Sequence, residues 1–200
     1  MNYEIILATN NKHKLQEVRE ILSPHKIVVY ALSDLNIKLP EIEENGKTYA
    51  ENALIKAKAV QQFTTMPIIS DDSGLEITAL NNEPGLHSAR YAASLGGHDN
   101  AIQEILNRLK DKEDRSARFV CDIVLLNTED KPCIFEGIAK GRIAEQKMGE
   151  GGFGYDPIFI SNETNECFAL MKDNKNAVSH RAKALKKLLT YLKINGFVPL

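Results

Sequence analysis

In the first half of the chain, short apolar runs are followed by stretches in which apolar residues recur at helical spacing. Residues 3–8, with the apolar run Ile5-Ile6-Leu7-Ala8, and the apolar residues 27–30 predict buried strands. Apolar residues at three- and four-residue spacing predict amphipathic helices after each of these runs. The first helix has an apolar stripe of Leu15, Val18, Ile21 and Leu22. The second begins at a capping pattern of Thr48 and Glu51 and has a stripe of Ala50, Ala53, Leu54, Ala57 and Val60.

The second half predicts a hairpin, a short strand at residues 158–160 and further helices. Residues 118–127 and 133–143 are rich in strand formers, and a polar turn separates them. Helical spacing returns after Asp99 and again after Ser179, with a short helical piece near Ser88. Strands alternating with helices, followed by a hairpin, predict an α/β fold with a central mixed β-sheet flanked by helices. We expect one domain over residues 1–200.

The stretch at residues 68–77 combines strand formers with two adjacent carboxylates. We expect a strand at residues 68–70, a turn at Asp71 and Asp72, and a returning strand at residues 75–80. Buried charge is costly unless it is paired, and a bound divalent cation is a suitable partner. Paired Asp residues also cap turns, which is the structural alternative. By strand alternation we expect Asp72 to face the site and Asp71 to face the other side.

A polar turn leads from the first strand into the first helix and consists of Thr9, Asn10, Asn11, Lys12, His13 and Lys14. A strand–turn–helix directs backbone N–H groups and the positive end of the helix dipole at an anion above the turn. The turn lacks the Walker A pattern, which argues against a P-loop NTPase. Thr and Asn also cap helices, so phosphate binding and simple capping both stay open from this turn alone.

Three acids in four positions, Glu41, Glu43 and Glu44, precede the second helix. Carboxylates suit hard divalent cations such as Mg2+. Negative charge is also favourable at a helix start and on a solvated surface, so a purely structural reading stays open. Together with Asp72, these acids would allow a metal to bridge phosphate oxygens while a carboxylate takes a proton from water.

A glycine-rich segment near residue 150 carries two aromatic side chains. Phe153 and Tyr155 are placed to stack on a flat ligand, since Gly154 between them allows close backbone approach. Asp156 offers an acceptor for a ring N–H group. Further donors to a ring carbonyl or to phosphate are Lys175, His180 and Arg181. Packing aromatics and a capped helix start are the structural alternatives.

Composition excludes several classes of protein. The formal net charge of −2 argues against a duplex-DNA binder, which has a strongly basic face. The three cysteines, Cys121, Cys133 and Cys167, contain no C-x-x-C pair and are expected to be reduced thiols. Apolar runs fall short of the ~20 residues of a membrane span, and the first is too short for a signal peptide. We expect a cytoplasmic protein.

Several motifs occur in a fixed order along nearly the whole chain. They are Thr9-Asn10-Asn11 with Lys14, Asn52-Ala53, Ser70-Asp71-Asp72-Ser73-Gly74-Leu75, Ser88-Ala89-Arg90-Tyr91, Gly152-Phe153-Gly154-Tyr155-Asp156-Pro157 and Ser179-His180-Arg181. In this combination the chain resembles the inosine triphosphate pyrophosphatase family. The family's first turn often has Gly where this chain has Asn10 or His13, which concerns the conformation of the turn.

The resemblance implies hydrolysis of dITP, ITP and XTP to nucleoside monophosphate and pyrophosphate with Mg2+, which removes deaminated purines from the nucleotide pool. It implies an elongated two-lobed fold with the substrate cleft between the lobes, commonly a homodimer. Asp72 would be proton acceptor and metal ligand, and Glu43 the second ligand, with Glu41 and Glu44 as alternatives. Substrate would contact residues 9–14, Ser73 and a nucleoside pocket of Phe153, Gly154, Tyr155, Asp156, Lys175, His180 and Arg181.

A base preference follows from hydrogen-bond chemistry. A 6-oxo purine offers a ring N–H donor and a carbonyl acceptor, which suit Asp156 as acceptor and Arg181 or a backbone N–H group as donor, whereas adenine offers the reverse. The same argument does not exclude GTP, which shares both groups. Two alternatives stay open: a pyrophosphatase for pyrimidine or modified nucleotides, and a nucleotide sensor without catalysis. Adjacent Asp71 and Asp72 argue against the sensor, because acids beside phosphate need a cation.

Overall fold

The computed structural model describes residues 2–200. Its strands are β1 (Tyr3–Leu7), β2 (Ile27–Tyr30), β3 (Ile68–Ile77), β4 (Glu83–Pro84), β5 (Ser116–Leu126), β6 (Cys133–Ile143) and β7 (Phe159–Ser161). Its helices are α1 (Lys12–Leu22), α2 (Tyr49–Gln61), α3 (Ser88–Ser94), α4 (His98–Arg108), α5 (Lys175–Val178) and α6 (His180–Ile194). The described strands form a mixed sheet in the order β2-β1-β3-β5-β6-β7, with β4 paired to β3. The predicted α/β class with a mixed sheet is confirmed.

The chain divides into two compact units, and β3, β5 and β6 contribute residues to both. The first unit contains the chain up to Asp72, Cys121–Gly137 and Arg181–Leu200. The second contains Ser73–Val120 and Ile138–His180. In the first unit α1 and α6 pack with Ile5 and Leu7, whereas α2 packs with Ile6 and Ala8. Alternate residues of β1 therefore serve two helical layers, as strand geometry requires.

The core of the second unit is rich in aromatic side chains. It packs one face of α4 against residues from β3, β5, β6 and β7. Phe119 lies with its ring centroid 4.6 Å from that of Phe159 and 5.7 Å from that of Phe168. Tyr155 and Ile158, at the end of the glycine-rich segment, belong to the same core.

Strand β3 corrects the prediction for the acidic stretch. The expected turn at Asp71 and Asp72 is wrong, and so is the returning strand at residues 75–80, because β3 runs unbroken over Ile68–Ile77. The strand that returns beside it is β4, which pairs antiparallel with Glu76 and Ile77. Charge does not end β3 because cations from elsewhere in the first unit neutralise Asp71, as described below.

The register of β1 and β3 explains which residues surround Asp71. The strands are parallel, with Ile6 opposite Ile68 and Leu7 opposite Ile69. The predicted turn at residues 9–14 is too long, because Lys12, His13 and Lys14 already form the first turn of α1. Since β1 ends at Leu7, the shorter turn before α1 begins where β3 continues into Asp71. This turn and the acidic pair therefore meet within the first unit.

The predicted Thr48 cap is confirmed, and β5 and β6, the strands of the predicted hairpin, are neighbours in the sheet. Thr48 Oγ1 accepts a hydrogen bond from the Glu51 N–H group at the start of α2. Gly196, with φ of 74°, follows α6, and the Phe197 N–H group donates to the Leu192 carbonyl.

All three cysteines are free. Among residues 2–200, no helix is long and apolar enough to cross a membrane.

Candidate active site

Asp71 is the centre of a buried ion-pair cluster in the first unit. The residue is 1% exposed, and its Oδ1 lies 3.2 Å from Lys14 Nζ. Arg181 Nε donates to Asp71 Oδ2 at 3.0 Å, and Arg181 Nη1 donates to Glu17. Burial opposes ionisation of Asp71, but Lys14, Arg181 and Lys56 outweigh it and hold its pKa well below the usual range. Asp71 therefore stays charged and anchors α1 and α6 to β3.

Asp72, the next residue, has a different environment. Its Oδ2 accepts a long hydrogen bond of 3.4 Å from Asn52 Nδ2. Burial raises the pKa of Asp72 to about 6, although Lys56 and Lys14 lower it. Two adjacent carboxylates thus have pKa values displaced in opposite directions. Asp72 is the one suited to take up a proton near neutral pH, because a general base works best with a pKa near the working pH.

Lys56 connects β3 to the acidic segment, the residues 41–44 that precede α2. Its Nζ donates to the Asp71 carbonyl at 2.6 Å and lies 3.1 Å from Glu44 Oε1. Lys56 is four residues after Asn52 on α2, so both side chains extend from one face of the helix. Sequence reasoning missed Lys56. The available signal was a cation four residues from Asn52, one of the motif residues.

The three acids before α2 differ in their surroundings. Glu44 is 35% exposed at its side chain and contacts Lys56, and its charge contributes to the raised pKa of Asp72. Glu41 and Glu43 are exposed. Within residues 2–200, no group of three or more His, Cys, Asp or Glu side chains is arranged to hold a metal ion. The choice of Glu43 as second ligand stays a prediction, and the structure draws attention to Glu44.

The polar turn after β1 is partly used for capping. Asn11 Oδ1 accepts from the His13 and Lys14 N–H groups at 3.0 and 3.2 Å, so Asn11 is the N-cap of α1. Thr9 Oγ1 accepts from the Asn11 N–H group at 3.1 Å. Asn10 and Lys12 are exposed. The turn therefore has a defined shape, and its contact with phosphate stays a prediction.

The glycine-rich segment of the second unit contains a buried ion pair. Asp156 Oδ2 accepts from the Phe153 N–H group at 3.0 Å and from Lys175 Nζ at 2.6 Å. Lys175 Nζ also lies 4.6 Å from the centroid of the Phe153 ring. One carboxylate thus fixes both the loop backbone and the ammonium group beside the aromatic ring. Phe153, Asp156 and Lys175 are brought together as the sequence predicted.

Tyr155 and His180 are held by packing in the second unit. Tyr155 is 4% exposed, donates from its hydroxyl to the Ser88 carbonyl at 2.6 Å, and contacts His98 edge-on at 5.0 Å between centroids. The His180 ring stacks on Phe119 at 4.6 Å. Ser73 begins the second unit, directly after Asp72. Substrate contact by these side chains stays a prediction.

Arg181 follows His180 in sequence, but its described contacts are with Asp71 and Glu17 of the first unit. Its predicted role at the base therefore has no support from these contacts, and Asp71 takes the guanidinium as a structural partner. The Ser-His-Arg motif does not reveal this, because both of these acids lie more than 100 residues away, at separations of 110 and 164.

Gly152→Ala is expected to destabilise the glycine-rich segment. Gly152 has φ of +68°, and a Cβ there would lie 2.1 Å from Asp156 Oδ2. Gly196→Ala is the matched control, because φ is +74° with nothing within 4 Å. We expect a cost of about 1 kcal/mol for the control and about 2–3 kcal/mol for Gly152→Ala in urea unfolding. Equal costs would show that Asp156 does not restrict residue 152.

The sequence of this chain matches a known protein family over almost its full length. A model of the Ham1 family matches residues 5–191. The chain belongs to the Ham1 family. A protein of Bacillus subtilis (strain 168) named "dITP/XTP pyrophosphatase" is 44% identical over 193 residues, covering 95% of this chain and 97% of the relative.

Solved structures support the same Ham1 assignment. A HAM1 protein from Coxiella burnetii is 41% identical with a TM-score of 0.84, covering 96% of this chain and 98% of that one. The Staphylococcus aureus Ham1 protein is 38% identical, also with a TM-score of 0.84, covering 96% and 99%. The resemblance inferred from the motifs is confirmed over almost the full length of this chain and of the two solved structures.

Two kinds of chemistry are therefore present in this Ham1 chain. The first unit offers carboxylates and ammonium groups, which suit a hydrated cation and phosphate oxygens. The second offers an aromatic ring beside a carboxylate and an ammonium group, which suit a flat heterocycle with polar edges.

Proposed function

We propose that this chain hydrolyses non-standard purine nucleoside triphosphates, namely dITP, ITP and XTP, to nucleoside monophosphate and pyrophosphate. The observation that carries the proposal is the near-complete match to relatives named dITP/XTP pyrophosphatases. The charged cluster of the first unit and the aromatic segment of the second supply the chemistry for the phosphates and the base, respectively.

Asp72 is the proposed general base. Water attacks the triphosphate, the α–β phosphoanhydride bond breaks, and the proton of that water passes to the Asp72 carboxylate. In the metal-free protein burial holds its pKa at about 6, above the 3.8 of an ordinary Asp, and a bound cation would lower it again. Lys14 and Lys56 supply positive charge toward phosphate oxygens.

Mg2+ is the proposed cofactor, held by Asp72 and by one acid of the segment before α2. Glu43 is the acid that the resemblance implies, and Glu44, which lies 3.1 Å from Lys56 Nζ, and Glu41 are the alternatives. Mg2+ keeps several waters and is commonly bound by one or two carboxylates plus substrate phosphates, so a protein site with few ligands fits it. When bound, the ion withdraws charge from the phosphate and orients the attacking water.

The pKa of Asp72 gives a test of metal binding. In metal-free protein we expect the Asp72 carboxyl, observed by carbon NMR, to titrate with a pKa of about 6. A cation bound to the carboxylate favours its charged form, so Mg2+ should move the titration to lower pH. The Asp72→Asn spectrum assigns the signal. A titration that Mg2+ leaves unchanged would remove Asp72 from the metal ligands.

The base preference rests on Asp156 as acceptor for the ring N–H group. Lys175, beside Asp156, is the nearby donor for the ring carbonyl. Sites that hydrogen-bond a substrate group reject analogues lacking it by about 10⁴-fold or more. We expect kcat/KM for dITP and XTP to exceed that for dATP by about this factor in a panel that also contains dGTP, dUTP and dCTP. A preference for dUTP or dCTP would favour the pyrimidine alternative instead.

The remaining expectations are part of the same proposal. We propose that the enzyme acts in the cytoplasm as a homodimer, without nucleic acid as a partner, since its substrates are free nucleotides. The net charge of −2 accords with the last point.

A further inference from the structure

Asn52 lies between the acidic segment and Asp72 in the first unit. Its side chain is buried, at 4% exposure. Asn52 Oδ1 accepts from the Gly46 N–H group at 2.8 Å, and Asn52 Nδ2 donates to Asp72 Oδ2 at 3.4 Å. One amide therefore contacts the end of the segment that carries Glu43 and Glu44 and also the proposed general base.

The contact with Gly46 fixes which way the amide faces. A backbone N–H group can only donate, so the oxygen of Asn52 must face Gly46 and the NH2 group must face Asp72. An Asp at this position would keep the first contact but would place a second negative charge beside Asp72. The position therefore requires an acceptor on one side and a donor on the other, which an amide provides.

The helix that carries Asn52 is firmly held at its start. Thr48 caps α2, and Glu51 accepts from the Lys47 N–H group. Asp122 of β5 accepts from the backbone N–H group of Ala50 in the first turn of α2. Asn52 thus extends from a fixed backbone rather than from a loop.

Gly46 approaches Asn52 too closely to carry a side chain. A Cβ at residue 46 would lie 2.6 Å from Asn52 Oδ1 and 2.7 Å from Glu51 Cβ. The backbone of the acidic segment is therefore seated directly on the first turns of α2. Close backbone approach of this kind requires glycine.

We propose that Asn52 is a positioning residue that couples the acidic segment to the Asp72 carboxylate. Its oxygen holds the backbone at Gly46, which fixes the position of the end of the segment that carries the preceding acids. Its NH2 group orients Asp72 for the reaction, and the long apo hydrogen bond tightens when substrate is bound. The inference rests on the general-base role proposed for Asp72.

The test compares three variants with a control. Asn52→Asp keeps the Gly46 acceptor but loses the donor to Asp72, whereas Asn52→Ala loses both. Gly46→Ala displaces the segment while Asn52 stays intact. Asn127→Asp is the matched control: the same substitution removes amide donors to the Thr64 and Met66 carbonyls in the same unit, at another site. The readouts are hydrogen exchange at the residue 46 amide, in metal-free protein, and kcat and KM for dITP.

We expect Asn52→Asp to lower kcat about 10- to 100-fold, with KM changed little and slow exchange at Gly46 retained. Asn52→Ala should lower kcat similarly and also accelerate exchange at Gly46. Gly46→Ala should accelerate exchange at residue 46 and lower kcat. Asn127→Asp should lower stability and leave kcat unchanged, which separates positioning from a general structural loss.

Two results would overturn the inference: wild-type kcat in Asn52→Asp, or unchanged Gly46 exchange in Asn52→Ala. Neither would affect the proposed function, provided that wild-type protein releases pyrophosphate from dITP. A wild type that does not hydrolyse dITP would overturn the proposed function and the orienting role at Asp72. The Gly46 exchange experiment needs neither substrate nor metal, so it still decides the link to the acidic segment.

Discussion

Asp72→Asn is expected to lower kcat for dITP by about 1,000-fold, the middle of the range for loss of a general base. Asn has a similar shape, but it cannot accept the proton of the attacking water. The variant should fold normally, because burial already disfavours the charged form of Asp72 in the folded protein. Steady-state pyrophosphate release measures the loss, and circular dichroism and urea unfolding check the fold.

The matched control for this variant is Asp130→Asn, in the exposed turn between β5 and β6. It makes the same change of charge and shape at a site without proposed chemistry, and we expect wild-type kcat. A kcat of Asp72→Asn within about threefold of wild type would exclude Asp72 as general base. Loss of a catalytic proton acceptor usually lowers the rate by about 100-fold or more.

Asp71→Asn is expected to destabilise the protein by about 3–5 kcal/mol, because it leaves Lys14 and Arg181 buried without their shared counter-charge. The control is Asp34→Asn, which removes a surface ion pair with Arg19 at 2.8 Å, where Asp34 is 43% exposed at its side chain. Exposed pairs contribute little, so we expect a cost of about 1 kcal/mol. Urea unfolding at pH 7 measures both free energies.

The same cluster predicts how stability depends on pH. Folding lowers the pKa of Asp71 from its ordinary value of 3.8, so its stabilisation is fully present above that value. It is lost progressively as the pH falls from about 4 toward the folded pKa. The stability gap between wild type and Asp71→Asn should therefore narrow between pH 5 and pH 3. An equal gap at both pH values would contradict a low pKa for Asp71.

Much of the fold was predictable because its signals are local. The stripe of α2, its Thr48 cap and the two long strands depend on residues within a few positions of one another. The course of β3 depends instead on distant residues. Asp71 is 57 residues from Lys14 and 110 from Arg181, and these distant cations, with Lys56, offset its buried charge within the strand.

The candidate site divides in the same way. Sequence reasoning identified Asp72, Phe153, Asp156 and Lys175, and the structure joins the last three by short contacts. The spacing of Lys56 from Asn52 was visible in the sequence, but its contacts with the Asp71 carbonyl and with Glu44 exist only once α2 is packed on β3. Spacing along a sequence cannot show which side chain meets a backbone carbonyl.

The most direct test of the proposed function is identification of the products formed from dITP with Mg2+, by phosphorus NMR of the purified wild-type protein. Cleavage of the α–β phosphoanhydride bond predicts dIMP and pyrophosphate in equal amounts, with no dIDP and no orthophosphate in excess of a no-enzyme control. Formation of dIDP and orthophosphate, or recovery of intact dITP bound to the protein, would contradict the account.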